Sequence, residues 1–238
     1  MAADTNAPRL ALGLLAAYNV VQNTLVSDRA YVPANVGATA GLLALGRRSG
    51  CTWTELGFDP ATLRPGLRLG ARAGAGVAVA LGAAIASERA RPLLLDDRAA
   101  GHTRGGAAYR AAIRFPVGTA LFEEVAFRGV LEALWRRRYG PRTSGVVSAV
   151  AFGLWHLLPT YHLFPEMSVG SVAARPPQRV VAALGGAFVT GLAGVGFSWL
   201  RHRSDSITAP WLAHATYNSV AYLVARRAWQ MESTVRDS

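Results

Sequence analysis

Three short stretches hold the residues that could do chemistry. They are "EEVAFR" from Glu123 to Arg128, "FGLWH" from Phe152 to His156, and "HATYN" from His214 to Asn218. Each interrupts an apolar run. An ionisable group in a membrane is expensive, so where one persists it faces a cavity, a partner or a substrate. On a helix, Glu124 and Arg128 stand at i and i+4, share a face and can pair. Glu123 points about 100° away from Glu124 and is left for a different partner. His214 and Asn218 project together at the same spacing. So do Phe152 and His156, which places Phe152 to buttress the imidazole. A carboxylate, two imidazoles and a carboxamide brought together can hydrolyse a bond. Glu123 and one histidine can take a proton from water. The other histidine and Asn218 can donate to a developing oxyanion. The same set, Glu123, His156 and His214, could instead hold a divalent metal such as zinc. Spacing does not choose between them.

The elements that would position these groups are apolar helices. The chain has 238 residues, 51% hydrophobic and 16% charged. A soluble domain carries about a quarter charged residues, so the composition points to a multi-pass membrane protein. Seven apolar segments are legible: 9–27, 31–46, 69–87, 112–135, 144–163, 179–200 and 207–225. The second is short and carries Pro33. The expectation is an all-α transmembrane bundle of seven to eight spanning helices. It forms a single integral membrane domain over 1–238, with 112–225 as its catalytic core. The stretch 88–111 is polar and Gly-rich, a loop or surface helix, and the residues after Val224 read as a polar tail. Asn19, Gln22 and Asn23 fall on one face of the first segment, toward the bundle. "GATAG", Gly37 to Gly41, is a small-xxx-small pattern that permits close helix approach.

Helical rise places the three motifs at one depth. Glu123 lies about 20 Å from the Arg136 block, His156 about 21 Å from Arg142, and His214 and Asn218 about 16 and 22 Å from Arg203. Pro159 would loosen the helix just beyond His156.

The formal net charge is +11, and all 25 basic residues are Arg. They cluster in short blocks after segments two, four and six, as cytoplasmic loops do. Anionic lipid is therefore the expected partner rather than nucleic acid. Arg in place of Lys, with abundant Ala and Gly, fits a GC-rich bacterial coding sequence and hence the bacterial plasma membrane. The lone Cys51 excludes an intrachain disulfide and a Cys-based metal site. The N-terminus lacks a basic start and a cleavage site, so the first apolar run is expected to stay as a helix. His102, His162 and His202 read as solvated. Trp53, Trp135, Trp199 and Trp211 lie near segment ends, where an aromatic belt is expected.

Taken together, "EEVAFR", "FGLWH" and "HATYN" resemble the EExxxR, FxxxH and HxxxN signature of the CPBP family. This family comprises type II CAAX prenyl endopeptidases, bacteriocin-processing enzymes and abortive-infection proteins. The resemblance runs from near Phe115 to near Val224, and "WTELGF", Trp53 to Phe58, is similar to a short upstream element of the family. It implies an α-helical intramembrane protease. By carry-over, Glu123 and His156 activate water, His214 and Asn218 form the oxyanion hole, and Glu124, Arg128 and Phe152 support them. The family has been described both as glutamate-based and as metal-dependent. The glutamate reading is preferred, because no carboxylate–imidazole pair behind the ligands is legible in the sequence. No other cofactor is expected. The substrate is a membrane-associated protein or peptide. The competing reading is a catalytically silent binding or immunity protein that uses the same polar cavity. A transporter is disfavoured, since no inverted repeat is visible.

Overall fold

A computed structural model describes residues 6–96, 99, 101–167 and 176–236. Every regular element in them is helical. Helix α1 is Ala7–Thr24 and α2 is Tyr31–Arg48. Pro33 falls in the first turn of α2, where a missing N–H costs nothing. A short turn, Pro60–Thr62, leads into α3, Leu63–Ala86. Helix α4 runs over 104–139, longer at both ends than the apolar segment 112–135. It begins where Thr103 caps Gly106 N and breaks at Gly140, whose φ of 80° only glycine adopts readily. Helix α5 follows over 141–155, α6 is Leu157–Met167, α7 is Pro176–Ser204 and α8 is Thr208–Arg236. The single segment expected over 144–163 is thus two helices that meet at His156.

The polar tail expected after Val224 is also helical, as far as Arg236. No Gly or Pro interrupts the chain there. Ala225 and Ala228 are buried, and Arg226 donates to the backbone carbonyls of Ala99 and His102.

Helix α4 is the axis of the bundle. Every residue from Phe122 to Leu134 is buried, whatever its polarity. A helix buried all round must be wrapped by others, and here α1, α2, α5, α7 and α8 pack on it. Two π-helical stretches, Arg110–Leu121 and Val125–Leu131, flank the α-helical Phe122–Glu124. π-helical turns recur at functional sites, where they re-aim side chains.

Helix α8 is held against α3 by small residues. A Cβ on Gly70 would stand 2.7 Å from the Ala209 carbonyl oxygen, and one on Gly74 2.8 Å from Thr216 Oγ1. Backbone contact at this distance leaves no room for a larger side chain. Gly70→Val is expected to destabilise the fold by about 1–3 kcal/mol or more, measured by thermal unfolding in detergent. Gly37 and Gly41 of the "GATAG" pattern have nothing within 4 Å of their Cβ positions, so that stripe makes no close approach among the described residues.

"WTELGF" forms a clasp. Leu56 is fully buried beside Val130, Gly57 O accepts from Ile207 N at 3.0 Å, and Arg201 donates to Glu55 O at 2.9 Å. It ties α4 to the α7–α8 turn. Cys51 at its base is fully buried, and that burial pushes its thiol above the usual range.

The outward faces are apolar. Val181, Phe188, Val189 and Trp199 of α7 are all more than half exposed. Two helical stretches, Pro60–Ala86 and Pro177–Ser204, are long and apolar enough to cross a membrane among the described residues. The ionisable residues of the motifs lie inside.

Candidate active site

Glu123 and Glu124 lie side by side on α4 and are both buried. Glu124 turns toward Arg128, whose Nη1 is 3.3 Å from Glu124 Oε1, and both side chains are wholly buried. The guanidinium also lies 4.0 Å over the ring of Phe152, a cation–π contact that offsets part of its desolvation. Glu123 turns the other way, as the helical offset requires. Its Oε1 accepts from Trp155 Nε1 at 3.1 Å, and its Oε2 has no hydrogen-bond partner among the described residues.

Two imidazoles face that oxygen. His156 Nε2 is 3.9 Å from Glu123 Oε2, and His214 Nε2 is 3.7 Å from it. These separations are too long for direct hydrogen bonds. They suit a single water held in common. The opposite nitrogen of each ring is committed. His156 Nδ1 lies 2.8 Å from the Phe152 carbonyl oxygen. That oxygen only accepts, so Nδ1 carries a proton, and in a neutral ring Nε2 presents a lone pair. His214 Nδ1 lies 2.7 Å from Glu124 Oε1 and donates to it. That leaves His214 Nε2 to face Glu123 Oε2.

Packing fixes the rings. Phe152 meets His156 edge to face with centroids 4.7 Å apart, as the buttressing expectation requires. Phe197 stacks on His214, also at 4.7 Å. Asn19 reaches across from α1 and donates to the Trp155 carbonyl at 2.9 Å, so α1 holds the end of α5 that carries His156. Asn218 stands one turn beyond His214, half-buried, and makes no hydrogen bond within the described residues. The structure thus brings Glu123, Glu124, Arg128, Phe152, His156 and His214 together, with Asn218 one turn away on the helix of His214.

Sequence reasoning missed Trp155 and Phe197. Trp155 sits inside "FGLWH", one residue before His156, and an indole N–H within a motif that must meet a buried carboxylate is a usable signal. Phe197 carries none. His202 is also not simply solvated: its Nε2 lies 2.8 Å from Glu132 Oε2. Of the other two histidines expected in solvent, His162 is exposed and His102 packs its ring against Tyr222.

The donors a metal would need are Glu123 Oε2, His156 Nε2 and His214 Nε2. The pairing that is illegible in the sequence is present, because Glu124 backs His214 and the Phe152 carbonyl backs His156. Yet among the described residues no three His, Cys, Asp or Glu side chains converge closely enough to hold an ion.

Residues 107–220 match the family model described as type II CAAX prenyl endopeptidase Rce1-like. That span contains all three motifs and every group placed around Glu123 except Asn19. The match supports membership of the CPBP family. Members are membrane-embedded CAAX proteases, so the apolar faces of α3 and α7 and the buried polar site have one common explanation. No curated protein matches the chain, and no solved structure does.

Proposed function

We propose that this CPBP-family chain is an intramembrane endopeptidase that uses a Glu123-activated water and no metal. The single observation that carries the reading is the Oε2 of buried Glu123, without a hydrogen-bond partner among the described residues and faced by two imidazole Nε2 atoms at water-bridging distance. A water there gives a proton to Glu123 or to the His156 Nε2 lone pair. Its oxygen bonds to the scissile carbonyl carbon. The carbonyl oxygen becomes an oxyanion and accepts from His214 Nε2–H and from the Asn218 amide. Glu124 supports the imidazolium that this requires, and Arg128 balances Glu124. The captured proton then passes to the leaving nitrogen as the C–N bond breaks.

The bundle would cross the bacterial plasma membrane seven to eight times, with 112–225 as catalytic core. Its substrate would be a membrane-associated protein or peptide. The test is cleavage of a farnesylated CAAX-type peptide by purified protein in liposomes made up in ¹⁸O-water. Hydrolysis places one ¹⁸O in the new carboxyl terminus. Cleavage absent for this peptide and for membrane peptides at large would leave the silent binding protein as the better account. A second outcome follows from the metal-free reading. Treatment with 1,10-phenanthroline or EDTA is expected to leave the rate within about twofold, whereas a Lewis-acid mechanism would lose most of its rate.

A further inference from the structure

Helix α4 buries a third carboxylate that the three motifs do not include. Glu132 is 3% exposed, eight positions beyond Glu124 on the same helix. Its two oxygens are separately bound by α7. Ser198 Oγ donates to Oε1, and His202 Nε2 lies 2.8 Å from Oε2. Those two bonds satisfy the carboxylate's hydrogen-bonding needs without Arg128.

Arg128 is less well provided for. Its one hydrogen bond, to Glu124 Oε1, is 3.3 Å long, and that same oxygen holds His214 Nδ1 more closely, at 2.7 Å. Its Nε and Nη2 have no hydrogen-bond partner among the described residues. The ring centroids of Phe152 and Phe197 lie 4.0 and 5.3 Å from the guanidinium carbon, and a Cβ on Gly194 of α7 would stand 3.0 Å from Nη2. A guanidinium in such surroundings needs more negative charge than a carboxylate shared with an imidazole supplies. Arg128 and Glu132 stand four positions apart on α4, and both meet α7 at adjacent residues, Phe197 and Ser198. The other charged groups near the pair are Arg201 and, beyond it, Arg136 and Asp205.

We propose that Glu132, clamped by Ser198 and His202, is a positioning residue whose negative charge holds Arg128 in register with the Glu124–His214 pair. The polar interior then extends from Glu123 through Glu124, Arg128 and Glu132 to His202, which is about one-third exposed. Its bearing on catalysis rests on the hydrolase reading above, but the charge coupling itself does not.

Two measurements test it, and the first needs no substrate. In a thermal-unfolding cycle, Glu132→Gln is expected to lower the Tm of the parent by several degrees and to have little effect in an Arg128→Met background. Equal losses in the two backgrounds would show that Glu132 serves only its Ser198 and His202 bonds, and would overturn the proposal. Should a Gln variant not accumulate, Glu132→Asn against Glu132→Asp gives the same contrast of charge at equal size. The second measurement is turnover of the farnesylated peptide. Glu132→Gln keeps shape and loses charge, so kcat is expected to fall about tenfold with KM unchanged. Glu132→Asp keeps charge and is expected to stay within about threefold. The reverse order, with Asp more damaging than Gln, would assign Glu132 a packing role and sink the idea. Failure of the parent to cleave the peptide counts against the hydrolase reading and leaves the unfolding cycle to decide this one.

Discussion

Glu123→Gln is expected to abolish peptide cleavage, lowering turnover by about a thousandfold or more, while the protein still inserts and unfolds at nearly the parental temperature. The amide keeps the size of the side chain, and its oxygen can still accept from Trp155 Nε1, so the local packing around Phe122 and Trp155 persists. What is lost is the basic oxygen that both imidazoles face. No other carboxylate can replace it, because Glu124 is committed to His214 and Arg128. A variant that retains full proteolysis would remove Glu123 from the mechanism. A variant that fails to fold would show that the residue's main role is in the core.

Arg128→Met carries the second large effect, and it falls on stability. Arg128 and Glu124 are both fully buried. Removing the cation leaves Glu124 in an apolar interior with only His214 to balance it. Breaking one side of a buried pair costs about 3–5 kcal/mol, much of it from the charge left behind. The double variant Arg128→Met/Glu124→Gln removes both charges and is expected to recover a large part of that loss, as read by denaturation in detergent. It should not recover activity, because His214 would lack the carboxylate that supports its second proton. If Arg128→Met is as stable as the parent, the ion pair is not what makes burial of Glu124 tolerable.

Much of this site is readable from local spacing. The Glu124–Arg128 pair follows from an i, i+4 interval, and the divergence of Glu123 from Glu124 follows from the rotation per residue of an α-helix, which holds over Phe122–Glu124. The His156–Phe152 contact is local in the same way. What could not be read depends on how one helix is rotated against another. Trp155 reaches Glu123, Phe197 covers His214, and His202 reaches Glu132 across separations of 32, 17 and 70 residues. No interval within a motif encodes such contacts. The π-helical turns on either side of Phe122–Glu124 add to this, because they shift the facing of every later residue on α4.

The same limit explains the glycine patterns. "GATAG" on α2 and the Gly66, Gly70 and Gly74 series on α3 look alike in spacing. Only the second meets a partner helix, and the partner is α8, more than a hundred residues further on. Helix ends escape the sequence for a simpler reason. Polarity alone would end α8 near Val224, yet a polar stretch without Gly or Pro, with Ala225 and Ala228 buried, continues as helix.

The central claim is that the acid on α4 hydrolyses peptide bonds in membrane-associated chains. The measurement that bears on it most directly works whatever the substrate is: quantitative peptide-terminus profiling of membranes from a strain lacking the gene, complemented with either the parental chain or Glu123→Gln. The account predicts new peptide termini that appear with the parental chain and are absent with the variant at equal expression. Identical terminus profiles for the two complemented strains would contradict it.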